Sequence, residues 1–312
     1  MDCPATLVGL GEALFDLLPG GRVLGGAPLN VACHAHQLLR GGGGRGVVAS
    51  RVGGDTLGDE LIAALGGRGM TAEFVQRDSQ FPTGTVNVTL HAGEPTFEIA
   101  RDVAWDHLEF TTEYQELASG ASAVCFGTLA QRSPDSREAI WQFLDAANGA
   151  VRLFDVNLRQ KFYDYEVIVE SLRRASIVKL NEEELTIVAD LLALPIGAPA
   201  YRLAQLCARY ELEAVVYTRG RRGTMLVLAD KVIAPPAVGY PIADGADTVG
   251  AGDACSAGVL VGWLRGLPPS EIVELANHLG AFVASQPGAT PTLPDEIISL
   301  ADRAALAPSS RL

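Results

Sequence analysis

Asp247-Thr248-Val249-Gly250-Ala251-Gly252-Asp253-Ala254-Cys255-Ser256-Ala257-Gly258-Val259-Leu260-Val261-Gly262-Trp263-Leu264 is a glycine-bracketed turn running directly into an apolar stretch. Two glycines around an alanine let the backbone bend sharply and come close to a ligand. Where such a bend opens a helix, free N–H groups and the positive end of the helix dipole face an anion. Asp253 falls in the first turn, where a carboxylate is electrostatically favoured and stays ionised. One carboxylate beside one oxyanion pocket suits phosphoryl transfer: the acid accepts a proton from a substrate hydroxyl while the amides steady the migrating group. The same residues also read as a plain turn with an N-terminal helix charge, so the surrounding chain has to decide.

Around that stretch, apolar strands alternate with amphipathic helices, which predicts a largely parallel α/β sheet covered on both faces. Strands are expected at Ala5–Leu10, Gly46–Arg51, Ala123–Phe126, Val151–Asp155, Ile177–Leu180 and Ala214–Thr218, with helices at Leu29–Leu39, Leu57–Leu65, Asp135–Ala147, Glu182–Leu192 and Ala200–Tyr210. Thr83–Leu90 and Thr96–Ile99 instead alternate in period two around Gly93-Glu94-Pro95, the pattern of an antiparallel hairpin. With Ala13–Leu18 and Arg22–Leu24 they make a small second sheet, too few strands to stand alone, which reads as a lid excluding water from a site. One domain, residues 1–312, with a lid from segments 13–25 and 83–102, is the expected organisation.

The chain has 312 residues, 48% of them hydrophobic, and a net charge of −13. That charge argues against a nucleic-acid partner held on a broad basic surface. An anionic cofactor would then be held by local devices: helix termini, a few arginines, Mg²⁺. Cys3, Cys33, Cys125, Cys207 and Cys255 are odd in number and show no C-x-x-C spacing, which argues against a disulfide framework or zinc site and fits a reducing cytoplasm. No apolar run approaches the roughly 20 residues a membrane helix requires, and Asp2, Glu12 and Asp16 are wrong for a secretory leader.

The string D-T-x-G-A-G-D-x-x-x-A-G over 247–258 resembles the second signature of the PfkB carbohydrate kinases, the ribokinase-like family. The resemblance implies a ribokinase-like fold, Asp253 as catalytic base and the amides of Gly250, Ala251, Gly252 and Asp253 as the anion hole. Gly25-Gly26-Ala27-Pro28-Leu29-Asn30 matches the family's G-G-x-x-x-N, and Gly11-Glu12 followed by Asp16 its G-E-x-x-x-D. These imply a sugar site of Gly25, Gly26, Asn30 and Asp16, a carboxylate able to accept from two adjacent hydroxyls. Asp155-Val156-Asn157-Leu158-Arg159 closes a strand, where open α/β sheets bind ligands, so Asn157 and Arg159 join the substrate side. Arg101 corresponds to an arginine set against the substrate in the fructokinase and 2-keto-3-deoxysugar kinase branches.

On the nucleotide side the resemblance implies Lys179, Asn181 and Glu184 of the N-x-x-E motif near ATP, with Glu184 holding Mg²⁺ through water. Asn181 and Glu184 read equally well as a capping box. Thr218, Gly220 and Gly223 match the T-x-G-x-x-G loop, and Asn277 the adenine-side helix. A monovalent cation, K⁺, is implied at Asp247 and the carbonyls of Val249, Ala284 and Gly288. The Ala27 position and the D-x-N-x-R string point to the fructokinase branch, with fructose as substrate and a lid-paired homodimer as the expected assembly. Val103-Ala104-Trp105-Asp106, beside the lid, departs from that branch and leaves the sugar open, with a 2-keto-3-deoxygluconate-type substrate as alternative.

Two other enzyme classes fit worse. Gly9-Leu10-Gly11 lacks the third glycine of a dinucleotide fingerprint, position 14 being Leu, and no Walker motif occurs. A sugar sensor that has lost catalysis would not need Asp253 beside an intact hole.

Overall fold

The computed structural model describes residues 4–18, 20–91 and 94–302; Cys3 and the Gly93 position of the hairpin turn lie outside the described residues. Nine strands form the main sheet in the order β13 (Val232–Ile233), β12 (Thr224–Val227), β11 (Ala214–Thr218), β10 (Ile177–Asn181), β9 (Val151–Asp155), β8 (Ala123–Gly127), β1 (Thr6–Leu10), β4 (Arg45–Gly53) and β5 (Val75–Asp78). From β11 to β5 every pairing is parallel. The expected parallel sheet is thus extended by an antiparallel edge, because the tight turn at 220–223 sends β12 straight back along β11.

Side chains alternate between the faces, as a doubly covered sheet requires. Val8, Val124 and Phe126 join a core with α3 (Thr112–Gly120), α4 (Pro134–Ala146), α5 (Tyr165–Arg174), α6 (Glu182–Leu191) and α7 (Pro199–Tyr210). Leu7, Ala123 and Cys125 face α1 (Ala27–Leu39), α8 (Ala251–Leu264), α9 (Pro269–Val283) and α10 (Asp295–Ala301). Helix α8 is apolar all round and buried from Ala254 to Gly262. A Cβ at Gly258 would lie 2.8 Å from the Ala276 Cα, so glycine is what brings α9 close enough to enclose it. Near the other edge, α2 (Thr56–Gly67) starts on Asp55, whose side chain accepts from the Gly58 amide.

A second sheet has the order β3 (Gly21–Gly25), β2 (Leu14–Leu18), β6 (Gly84–His91) and β7 (Glu94–Ile99). It departs from the carboxyl end of β1 and returns into the start of α1, so it stands over that end of the main sheet. Leu14, Phe15, Val86 and Ile99 are buried beneath it, at roughly 1.5–3 kcal/mol for each fully covered side chain. That anchoring is what a four-stranded, half-polar sheet needs. The chain turns opposite ways from β1, to β4 on one side and β8 on the other, and ligands of open α/β sheets sit at such a reversal.

Candidate active site

The carboxyl ends of β1, β8, β9 and β10 and the N-terminus of α8 converge beneath the second sheet. Gly250 caps α8 with φ +77, and a Cβ there would lie 2.6 Å from the Ala289 carbonyl, so only glycine fits. The Ala251 amide donates to the Thr248 carbonyl at 3.3 Å. That leaves the amides of Gly250, Gly252 and Asp253 without an acceptor among the described residues, an anion-binding helix start.

Asp253 Oδ2 accepts from Asn30 Nδ2 at 2.8 Å, and Oδ1 has no donor among the described residues. Burial, then the Asp155 carboxylate, push its pKa up to about 6, outweighing the Asn30 hydrogen bond and the positive charges of Lys179 and Arg159. The helix terminus therefore does not hold Asp253 in the ordinary carboxylate range: it is ionised at neutral pH but close enough to titration to act as a base.

Beneath the turn, Lys179 Nζ donates to both oxygens of Asp155 at 2.8 Å, and Ser256 Oγ donates to Asp155 Oδ2 at 2.8 Å. Burial alone would lower the Lys179 pKa, but Asp155 holds it well above the ordinary value. A Cβ at Gly252 would be 3.4 Å from Lys179 Nζ, so this ammonium lies directly under the anion turn. Asp155 enters the sequence only as the first residue of the D-x-N-x-R string and Ser256 only as a helix residue; strand order brings them together.

Of the residues expected to bind sugar, Asp16 stands half-exposed on β2, and a Cβ at Gly25 would come 2.7 Å from its Oδ2. Gly26, at φ +111, would strike the Glu12 carbonyl at 2.4 Å if it carried a side chain. The glycine pair thus makes room for Asp16 and lets α1 start against the β1 end. Asn30 is only 3% exposed, its Nδ2 is committed to Asp253 and its Oδ1 is buried without a partner; in this arrangement it orients the base rather than reaching freely into the cleft. Asn157 adopts φ +38 at the end of β9, a backbone conformation that costs about 1–3 kcal/mol and gathers at functional sites. Arg159 is exposed and forms no ion pair among the described residues, yet its charge acts on Glu12, Asp16 and Asp253. Arg101, likewise exposed, lies 5.0 Å from the centre of the Phe162 ring.

Glu12 has no counterpart in the sequence reading beyond its place in a motif. It is 3% exposed, Oε2 has no partner, and burial together with Asp253 raises its pKa to about 7. A carboxyl whose folded pKa lies above its unfolded value of 4.5 binds more protons when folded, so it destabilises progressively as pH rises from 4.5 through 7. Glu12→Gln is expected to melt higher than the parent chain at pH 8, by at most about 3 kcal/mol, with the gap closing towards pH 5 in thermal scans. A gap independent of pH would show that the carboxyl is ionised throughout.

Of the residues expected near the nucleotide, Asn181 caps α6, accepting from the Glu184 amide at 3.0 Å, while Glu184 Oε2 accepts from the Asn181 amide at 2.8 Å and Oε1 from the Leu158 amide at 3.0 Å. The capping box is real and Glu184 is 7% exposed, so both its oxygens are already engaged by backbone. Thr218 ends β11; Gly220 and Gly223, at φ +55 and +74, shape the turn that follows. A Cβ at Gly223 would crowd Ala237 at 3.2 Å and Asn277 Nδ2 at 3.3 Å. Asn277 accepts from the Thr224 amide at 2.9 Å through Oδ1, and its buried Nδ2 has no partner, leaving a free donor at this wall. Asp247 accepts from the Val249 amide at 2.9 Å and the Gly288 amide at 3.3 Å, stitching the anion turn to the 285–288 loop that follows Ala284. Among the described residues no cluster of three or more His, Cys, Asp or Glu is arranged to hold a metal, and no helix is long and apolar enough to cross a membrane.

The family model for pfkB carbohydrate kinases matches residues 20–296. The chain belongs to this family. Among curated proteins it is 32% identical over 304 residues to a fructokinase of Salmonella typhimurium, covering 91% of this chain and 95% of that one. It is 30% identical over 307 residues to a putative sugar kinase of Pyrococcus horikoshii, covering 95% and 90%. The crystal structure of that Pyrococcus horikoshii sugar kinase superposes with a TM-score of 0.80 at 28% identity, covering 97% of this chain and all of that one. A Xylella fastidiosa fructokinase solved with bound ATP also gives 0.80, at 23% identity over 96% and 99% of the two chains, and attests the shared ribokinase-like fold. This pfkB protein is accordingly a carbohydrate kinase of fructokinase-like type.

Proposed function

We propose that this kinase transfers the γ-phosphoryl group of ATP to a primary hydroxyl of a small sugar, with D-fructose as the favoured acceptor. The observation that carries the reading is Asp253: a carboxylate held by Asn30 through Oδ2, standing in the first turn of a helix where the amides of Gly250, Gly252 and Asp253 have no acceptor among the described residues. Asp253 Oδ1 takes the hydroxyl proton, and the alkoxide oxygen forms a bond to the γ-phosphorus. The bond from that phosphorus to the bridging oxygen breaks, and ADP keeps the electron pair. The Gly250, Gly252 and Asp253 amides face the equatorial charge, with the Lys179 ammonium beneath them. Asp16, Gly25 and Gly26 support the sugar; Thr218, Gly220, Gly223 and Asn277 support the nucleotide. The second sheet closes over the cleft as a lid, residues 1–312 forming one domain around it.

Mg²⁺, when bound, neutralises phosphate charge. Glu184, with both oxygens engaged by backbone amides, would hold such an ion only through water. K⁺ fits where the 247–249 and 284–288 segments meet. The lid face, which exposes Leu18, pairs with a second copy as a homodimer, and solution mass at micromolar concentration checks this, a monomer contradicting it.

A second acceptor class has its own support. Arg101 and Arg159 flank the cleft with no carboxylate partner among the described residues, which suits an acid sugar such as 2-keto-3-deoxygluconate. A coupled assay of ADP release over a sugar panel separates the readings. Fructose is expected to give the highest kcat/KM, preference for the acid sugar would replace it, and sugar binding without ATP consumption would defeat the kinase reading.

A further inference from the structure

Residues 103–106, the stretch that departs from the fructokinase pattern, are used in a way the reaction chemistry does not account for. Arg132, just past the carboxyl end of β8, has a side chain 7% exposed and grips Asp106 with two parallel bonds, Nε to Oδ1 at 2.8 Å and Nη2 to Oδ2 at 2.7 Å. Its Nη2 also donates to the Ala100 carbonyl at 2.5 Å. The guanidinium is 4.0 Å from the Trp105 ring centre and 4.8 Å from that of Phe162. Trp105 is in turn fixed, its carbonyl accepting from Ser136 Oγ at 2.7 Å and its ring packed so tightly on β6 that a Cβ at Gly84 would lie 2.2 Å from Nε1.

Two features give this cluster a direction. Arg101 follows the clamped Ala100 and shares the Phe162 ring, and the chain turns right after it through Asp102 at φ +52, a left-handed conformation that Asp adopts more readily than most non-glycine residues. Arg132 Nη1 is buried with no partner, so the guanidinium is placed by the geometry of the clamp rather than by full satisfaction of its donors. A rigid fork held against two rings and paired with one carboxylate fixes both distance and angle, which a lysine ammonium does not.

We propose that Arg132 is a positioning residue for sugar recognition: by tying Ala100, Trp105 and Asp106 to the carboxyl end of β8, it sets where Arg101 stands over the cleft at the root of the second sheet. The proposal rests on the sugar-kinase reading and on Arg101 meeting the sugar.

The test uses the full chain, with D-fructose and 2-keto-3-deoxygluconate as acceptors, and compares Arg132→Lys, Arg101→Ala and the double variant. Arg132→Lys is expected to raise the KM of the turned-over sugar by about tenfold, within the scale of a small misplacement, while the KM for ATP changes less than about twofold. Adding it to Arg101→Ala is expected to cause little further loss, since both act through one contact. An unchanged sugar KM, equal rises in both KM values, or additive losses would overturn the proposal. Should Arg132→Lys fail to fold, Trp105→Phe keeps the Asp106 pair and thins the stack; it is expected to raise the sugar KM alone, and a flat sugar KM again overturns the clamp. A parent chain that turns over neither acceptor, nor any other sugar, would sink the kinase reading and the clamp with it, whereas normal turnover with an insensitive Arg132 sinks the clamp alone.

Discussion

Asp253→Asn is expected to lower kcat by about 10³-fold or more, the scale of losing a positioned base, while ATP affinity stays within about threefold. The substitution keeps an oxygen that accepts from Asn30 Nδ2, so the geometry survives and only proton uptake is lost. In the parent chain kcat/KM is expected to fall as pH drops through about 6, because the base must be ionised and burial with Asp155 sets its pKa there. A variant that retains most of its turnover, or an acid limb near pH 4, would remove Asp253 from that role. The acid limb reports the carboxyl cluster as a whole, since Glu12 and Asp253 interact and protons leave such groups in shared steps.

Lys179→Met is expected to destabilise the fold by about 3–5 kcal/mol, because it leaves Asp155 buried and charged with only Ser256 as donor. Calorimetry should show a Tm lower by roughly 5–10 °C. It also removes the ammonium beneath Gly252, so the KM for ATP is expected to rise by about tenfold. Asp155→Leu combined with Lys179→Met replaces the ion pair by apolar side chains of similar volume and is expected to recover most of the stability but none of the ATP affinity. Recovery of both would show that Lys179 only neutralises Asp155. Loss of neither in the single variant would show that the pair contributes little to stability or to phosphate binding.

The parts of this molecule legible in its sequence are those fixed by short-range rules. The runs at Val151–Asp155 and Ala214–Thr218 become strands with those bounds, and the period-two stretches at 83–99 become β6 and β7. Asn181 and Glu184 cap a helix as their spacing requires. The turn at Gly250 could be read because positive φ and close approach to Ala289 demand glycine.

What sequence could not supply is the product of strand order. Asp155 reaches Lys179 across neighbouring strands and Ser256 across about a hundred residues. Glu12 feels the Asp253 charge only because the carboxyl end of β1 lies close to the α8 N-terminus. Nothing in the spacing of Ala100, Asp106, Arg132 and Phe162 announces a clamp. The pKa of Asp253 is also beyond local reasoning: burial and the Asp155 carboxylate raise it against the Asn30 hydrogen bond and the Lys179 and Arg159 charges.

The central claim is geometric, and one structure tests it most directly: the full chain crystallised with ADP, Mg²⁺, aluminium fluoride and the sugar it phosphorylates best. The acceptor hydroxyl is expected within about 2.6–3.2 Å of Asp253 Oδ1, and the planar fluoride opposite the amides of Gly252 and Asp253. A hydroxyl beyond reach of that carboxylate, or a fluoride held away from those amides, would contradict it.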